Sequence, residues 1–240
     1  MLTRTVLCIR RSEAVAHAAN YLQQLGIPVT ESSGPDVTHL LLPVPSFPQG
    51  DTYLAHYLTE VPDDVIVSGG NLKTPLLEHY RCVDFLQDPW YLAQNAAITA
   101  DCALTLAEKE MSELNGCPVL ILGWGRIGKC LGQLLRCEGC DVTIAARKTA
   151  DQAIIRALGY RSEDIHWLDG SLGRYRLIFN TVPELILPNA DTHPDCIIFE
   201  LASKPGITGG NIIAAKGLPG KMAPQRSGML IAQTFIRLSI

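Results

Sequence analysis

An α/β protein built on parallel sheets is the fold class this sequence predicts, and three observations predict it. Apolar runs of strand length, such as Thr5-Val-Leu-Cys-Ile9 and Pro118-Val-Leu-Ile-Leu122, alternate with stretches of helical length. A glycine turn, Gly123-Trp-Gly-Arg-Ile-Gly128, stands directly between one such strand and a helical stretch. A long Ala-, Leu- and Thr-rich run, Ala96 to Leu114, separates two such patterns.

The chain has 240 residues, 47% hydrophobic and 18% charged, which suits one large domain or two modest ones with full cores. The net charge of -4 and the lack of any Lys/Arg block argue against nucleic acid as a partner. No apolar run nears bilayer length. The start, Met1 to Arg10, offers only about four apolar residues, where a secretory leader needs roughly 7–15. The expectation is a cytoplasmic protein with no membrane partner. Eight Cys are present. Cys8, Cys130 and Cys196 sit in apolar segments, and the Cys137/Cys140 pair has no second pair at zinc-ligand spacing. All eight are read as structural thiols, with no metal site.

The elements follow in order. Residues 1–95 form a small α/β domain on the substrate side. Its parts are a strand at Thr5–Ile9, a helix from Ser12 to Leu25 and strands at Val37–Leu42 and Val65–Val67. Ser12 caps the helix and Gly26 stops it. Ligands of parallel sheets bind beyond the carboxyl ends of strands. The 43–50 and 68–71 loops are therefore candidates for a cleft wall, although Pro and Gly there also serve simply to end strands. Residues 96–115 form a connecting helix and Asn115-Gly116 a turn. Residues 116–222 form the second, larger domain, with strands at Pro118–Leu122, Asp141–Ala146, Leu177–Asn180 and Cys196–Leu201. Residues 217–220 and 223–224 read as a loop. Residues 223–240 form a closing helix that returns to the first domain, so that both long helices bridge a cleft.

Gly123-Trp124-Gly125-Arg126-Ile127-Gly128 is a G-x-G-x-x-G between a buried strand and the helix Ile127–Cys137, the context that a Rossmann-type dinucleotide site needs. Gly123 allows the tight turn, Gly125 lets backbone approach the pyrophosphate, and Gly128 lets helix and sheet pack closely. The helix N-terminus then favours the anion. NAD-selective sites place an acid at the end of the next strand. Here Arg147 and Lys148 stand there, which suits the 2′-phosphate of NADP. NAD remains possible if Arg147 stacks on adenine instead. Asn180-Thr181-Val182-Pro183, Ala202-Ser203-Lys204-Pro-Gly206 and Gly217-Leu-Pro219-Gly220 complete the rim at the carboxyl ends.

These segments together resemble the family of dipicolinate synthase A subunits, within the two-domain NAD(P)-dependent dehydrogenases. The resemblance rests on Leu122 to Gly128, Ala145-Ala-Arg147, Asn180 to Pro183, Leu201-Ala-Ser-Lys-Pro-Gly206 and Gly217-Leu-Pro-Gly-Lys-Met-Ala-Pro224, in the family's order through residues 116–240. The first domain is similar only through Leu42-Pro-Val44 and Ser68-Gly69, and it is shorter. In the connecting helix, Thr99-Ala-Asp101-Cys102 departs from a T-A-E-G pattern. The resemblance implies NADP-dependent oxidation of a dihydrodipicolinate-type cyclic dicarboxylate, beside a flavoprotein-like B subunit, in sporulation. A homo-oligomer is also expected. Lys204 is the candidate cation for a substrate carboxylate, with a solvated loop Lys as the plainer reading. Ser203, Asn180 and the 217–220 backbone complete the cradle, and Asp101 is the candidate acid at the junction.

Two other functions compete. A 2-hydroxyacid dehydrogenase needs a His paired with a carboxylate. His166 and His193 read as surface-loop residues, with no credible acid partner. The short first domain and Asp101 instead suit a non-catalytic NADP-binding or partner subunit.

Overall fold

The computed structural model describes residues 4–168 and 170–240, so the first residues of the segment read against a leader lie outside it. The chain divides into two compact units, Met1–Asn95 with Pro219–Ile240, and Ala96–Leu218. The first part holds β1 (Thr5–Cys8), α1 (Glu13–Gln24), β2 (Val29–Thr30), β3 (Val37–Leu41), α2 (Leu54–Leu58), β4 (Ile66–Gly69), β5 (Arg81–Asp84) and α3 (Pro89–Glu110). There follow β6 (Pro118–Leu122), α4 (Arg126–Cys137), β7 (Asp141–Ala146), α5 (Thr149–Ala157) and β8 (Arg161–Asp164). The chain ends with β9 (Leu177–Asn180), β10 (Ile197–Glu200), β11 (Asn211–Ala214), α6 (Leu218–Met222) and α7 (Pro224–Ser239).

The first unit is a parallel sheet ordered β2-β1-β3-β4-β5, one of the two common doubly wound arrangements. Its first helix starts and stops by local chemistry. The Ser12 hydroxyl accepts from the Val15 amide at 3.3 Å, and Gly26 follows the last turn at φ +78°, which suits a residue without Cβ. Helices α1 and α7 approach closely at Gly228. A Cβ there would lie 2.5 Å from the Ala14 carbonyl oxygen and from His17 Cβ. The end of α7 is fastened to the sheet. The Ser239 carbonyl lies 2.9 Å from His39 Nε2, and its hydroxyl 2.9 Å from that of Ser68. Burial lowers the pKa of His39, so the neutral ring packs edge-on against Phe235.

The second unit is a six-stranded parallel sheet ordered β11-β10-β9-β6-β7-β8. Read from β8, it runs third, second, first, fourth, fifth, sixth, the dinucleotide-binding Rossmann order. The α/β class and its two parallel sheets are as expected from the sequence. Strand order reverses between β6 and β9, so the crevice for ligands opens beyond their carboxyl ends.

Two elements and the cysteines depart most from the sequence reading. Helix α3 begins at Pro89, not Ala96, and ends at Glu110. Asp88 caps it, accepting from the Tyr91 amide at 2.8 Å, and Pro89 takes the first helical position, where a missing N–H costs nothing. Residues 217–220, read as loop, enter the short helix α6. Of the eight cysteines, all are unbridged and Cys82 and Cys137 are exposed, so not every one packs as a core residue. Burial pushes the Cys8 thiol up to about 12 and those of Cys140 and Cys196 up to about 11. Among the described residues, no helix is long and apolar enough to cross a membrane.

Candidate functional site

The site grows from the carboxyl end of β6. Gly123 turns the chain at φ +103°, and its amide donates to the Ala145 carbonyl at 2.9 Å. A Cβ at Gly123 would lie 2.6 Å from Thr181 Oγ1 and 2.8 Å from Val182 Cγ2. One at Gly128 would lie 2.2 Å from the Gly123 carbonyl oxygen, so helix and turn touch backbone to backbone. Gly125 differs. It is the N-cap of α4 with extended backbone, and a Cβ there would meet nothing within 4 Å. No side chain caps α4, so its first amides have no side-chain acceptor and carry the positive end of the helix dipole. Arg126 is exposed and Ile127 half-buried. Half-buried Trp124 leans on Tyr160, ring centroids 6.0 Å apart, under Lys129 Nζ.

Beyond β7, Arg147 and Lys148 are both exposed, with Lys148 at the start of α5. Arg147 is not alone. Its Nη1 lies 3.2 Å from Glu184 Oε2, an acid that follows β9 and that the sequence reading did not single out. The two residues line a cavity of about 400 Å³ whose other walls include Ile165, Leu168, Val182 and Ile186.

Asn180 is fully buried and its side chain is engaged within the protein. Its Oδ1 accepts from the Val182 amide at 3.0 Å, and its Nδ2 donates to the Val182 carbonyl at 3.1 Å and to Glu200 Oε1 at 2.8 Å. Thr181 Oγ1 donates to the Leu122 carbonyl at 2.8 Å. Val182 is half-buried and Pro183 exposed. Glu200 ends β10, 3% exposed, and also accepts from the amides of Ala202 at 3.2 Å and Gly206 at 2.8 Å. One buried carboxylate therefore holds both ends of the 201–206 loop. The loop tip, Ser203-Lys204-Pro205, is left exposed. A second cation, Lys216, donates from Nζ to the Ser203 carbonyl at 3.0 Å. Asp101, half-buried on α3, adds its charge to burial in raising the Cys130 thiol. Gly217 is exposed at the end of the second unit, whereas Pro219 is buried in α6.

One expectation needs correcting. A His–acid pair does exist: His193 Nδ1 lies 3.7 Å from Asp195 Oδ2. Yet Nδ1 accepts the Asp195 amide at 3.1 Å, and both residues precede β10, at the amino end of the sheet. The pair is far along the strand from the ligand rim.

Sequence reasoning missed Glu184, Glu200 and Lys216. Glu200 had a signal, since a lone acid in the apolar run Cys196-Ile-Ile-Phe-Glu-Leu201 must be buried and therefore hydrogen-bonded. Glu184 and Lys216 lie in polar loops, where nothing distinguished them.

No protein-family model matches the chain. Among curated proteins, the A subunit of dipicolinate synthase from Bacillus subtilis (strain 168) is 29% identical over 136 residues, covering 52% of this chain. The match covers 46% of that protein, so the chain spans about half the length of its curated relative. The solved structure of the dipicolinate synthase A subunit from Bacillus halodurans matches with TM-score 0.83 and 21% identity, over 99% of this chain and 98% of that one. Its counterpart from Bacillus subtilis matches with TM-score 0.82 and 19% identity, over 98% and 95%. At such identities the superpositions carry the fold. Curated match and solved structures point the same way: this chain is similar to the A subunit of dipicolinate synthase.

Proposed function

We propose that this protein is an oxidoreductase that binds NADP at the 123–128 turn and oxidises a cyclic dicarboxylate of the dihydrodipicolinate class. The observation that carries this reading is the uncapped N-terminus of α4, with open space at Gly125 and no room for a side chain at Gly123 or Gly128. The residues fit a dinucleotide. The turn, Gly123 through Gly128, would hold the pyrophosphate on the α4 amides. Arg147 and Lys148 would take the 2′-phosphate, and Thr181, Val182 and Pro183 would border the nucleotide. When bound, the nicotinamide supplies the hydride acceptor.

Oxidation of the ring removes one hydrogen with its electron pair, as hydride, and one proton, which leaves to solvent. The chain's part is to orient the ring and neutralise its two carboxylates. Lys204 and Ser203 on the 201–206 loop, with Lys216 beneath Ser203, supply cations and a donor for that work. Asp101 is the candidate acid. Asn180 and Glu200 position the loop. The similar proteins carry the name of one subunit of a synthase, which supports a partner subunit beside this chain, and the resemblance of the motifs makes that partner a flavoprotein-like B subunit. One observation favours NAD instead: Glu184, at Arg147's corner, is the kind of group that bonds a ribose 2′-OH.

Turnover decides between catalysis and mere binding. With NADP and dihydrodipicolinate, the wild type should form reduced cofactor, by itself or with the B subunit. Lys204→Met should lower kcat/KM by about 10- to 100-fold, the loss of one or two charge-assisted bonds, and leave NADPH affinity unchanged. No turnover in either setting would support a non-catalytic binding role. Full kcat/KM in Lys204→Met would remove Lys204 from the site.

A further inference from the structure

We propose that Glu184 is a specificity-determining residue that competes with a ligand's 2′-phosphate for the Arg147 guanidinium. This deepens the dinucleotide reading of the second unit and rests on it. Arg147 follows β7 and Glu184 follows β9, so they reach one cavity from separate loops. Their contact is 3.2 Å, with side chains 56% and 65% exposed. A pair that open to water is weak, and it yields to a phosphate dianion, which offers the guanidinium stronger charge-assisted bonds.

Glu184 nevertheless stays within reach when the phosphate arrives. The Gly206 carbonyl accepts from the amides of Ile186 at 2.8 Å and Leu187 at 3.1 Å, and a Cβ at Gly206 would lie 2.6 Å from the Glu184 carbonyl oxygen. The backbone carrying Glu184 is therefore pinned, so its side chain stays rooted at the wall of the cavity that Arg147 shares. A 2′-phosphate there must displace that carboxylate from the guanidinium, and the Glu184 charge stays on the same cavity wall. The rest of the cavity is mainly apolar (Ile165, Leu168, Val182, Ile186), with exposed His166 as the one further titratable side chain among the described residues. Lys148 neighbours Arg147 in sequence and adds positive charge to the loop. A nucleotide lacking the 2′-phosphate meets no such competition.

The test compares adenosine 2′,5′-bisphosphate with 5′-AMP on the full chain, as wild type and Glu184→Gln, by calorimetry. Glu184→Gln should tighten the bisphosphate about 3- to 10-fold and change 5′-AMP less than about twofold. The gain should shrink at high salt. It should also vanish in an Arg147→Ala background, because the competition acts through the guanidinium. An unchanged bisphosphate affinity overturns the proposal. So does a loss of 5′-AMP affinity, which would make Glu184 an acceptor for the ribose hydroxyl. A wild type that binds neither nucleotide defeats the dinucleotide reading itself, whereas binding that Glu184→Gln leaves unaltered defeats only the role of Glu184.

Discussion

Gly128→Ala should weaken NADPH and NADH alike by about 100-fold, because it displaces the turn proposed to hold both. The added Cβ would lie 2.2 Å from the Gly123 carbonyl oxygen, a backbone atom that no rotamer change can move. Helix α4 must lift or the turn must open, at a cost of about 1–3 kcal/mol in stability. Shifts near 1 Å at a positioning group cost on the order of 10²-fold. Gly125→Ala is the informative companion. Its Cβ enters open space, so the fold should be unaffected while the pyrophosphate loses its close approach. Calorimetric titration with both cofactors, alongside thermal unfolding, checks the pair. If Gly128→Ala bound both cofactors normally, the turn would not be their site.

The second large effect is expected at Glu200. Glu200→Ala leaves Asn180 Nδ2 and the amides of Ala202 and Gly206 without their shared acceptor, in a site only 3% exposed. Each stranded donor costs about 1–3 kcal/mol, less where water enters the vacated space, so a total near 3–5 kcal/mol is expected. The thermal midpoint should fall by about 10 °C. Glu200→Gln keeps one acceptor oxygen but turns an amide group toward N–H donors, and should fall between. Hydrogen exchange at Ala202 and Gly206 gives the local readout, since both amides should lose protection first. A Glu200→Ala protein as stable as wild type would mean that the carboxylate does not hold the loop.

Much of this architecture was legible because central strands of parallel sheets are buried on both faces. Pro118–Leu122, Asp141–Ala146 and Leu177–Asn180 match β6, β7 and β9 to the residue for that reason. The four missed strands, β2, β5, β8 and β11, are the four sheet edges. Edge strands face water, so Arg81-Cys-Val-Asp84 and Arg161-Ser-Glu-Asp164 show no apolar run to read. The site divides the same way. The glycine turn is local chemistry, with every part adjacent in sequence. The Arg147–Glu184 contact joins residues 37 apart, and the Asn180–Glu200 bond joins residues 20 apart. Such pairings exist only once parallel strands align, and a residue list does not show them. The Asp88-Pro89 start of α3 is a readable signal, but the Ala-rich centre of the helix dominates the pattern and places its start too late.

The reading of this protein as NADP-dependent rests most directly on the affinities of the wild type for NADPH and NADH. Quenching of Trp124, half-buried in the turn, gives a signal for both. With Arg147 and Lys148 proposed at the adenosine end, and part of their gain offset by Glu184, NADPH should bind about tenfold more tightly than NADH, the lower end of a charge-assisted hydrogen bond of about 1.5–3 kcal/mol. Equal affinities for the two cofactors would contradict it.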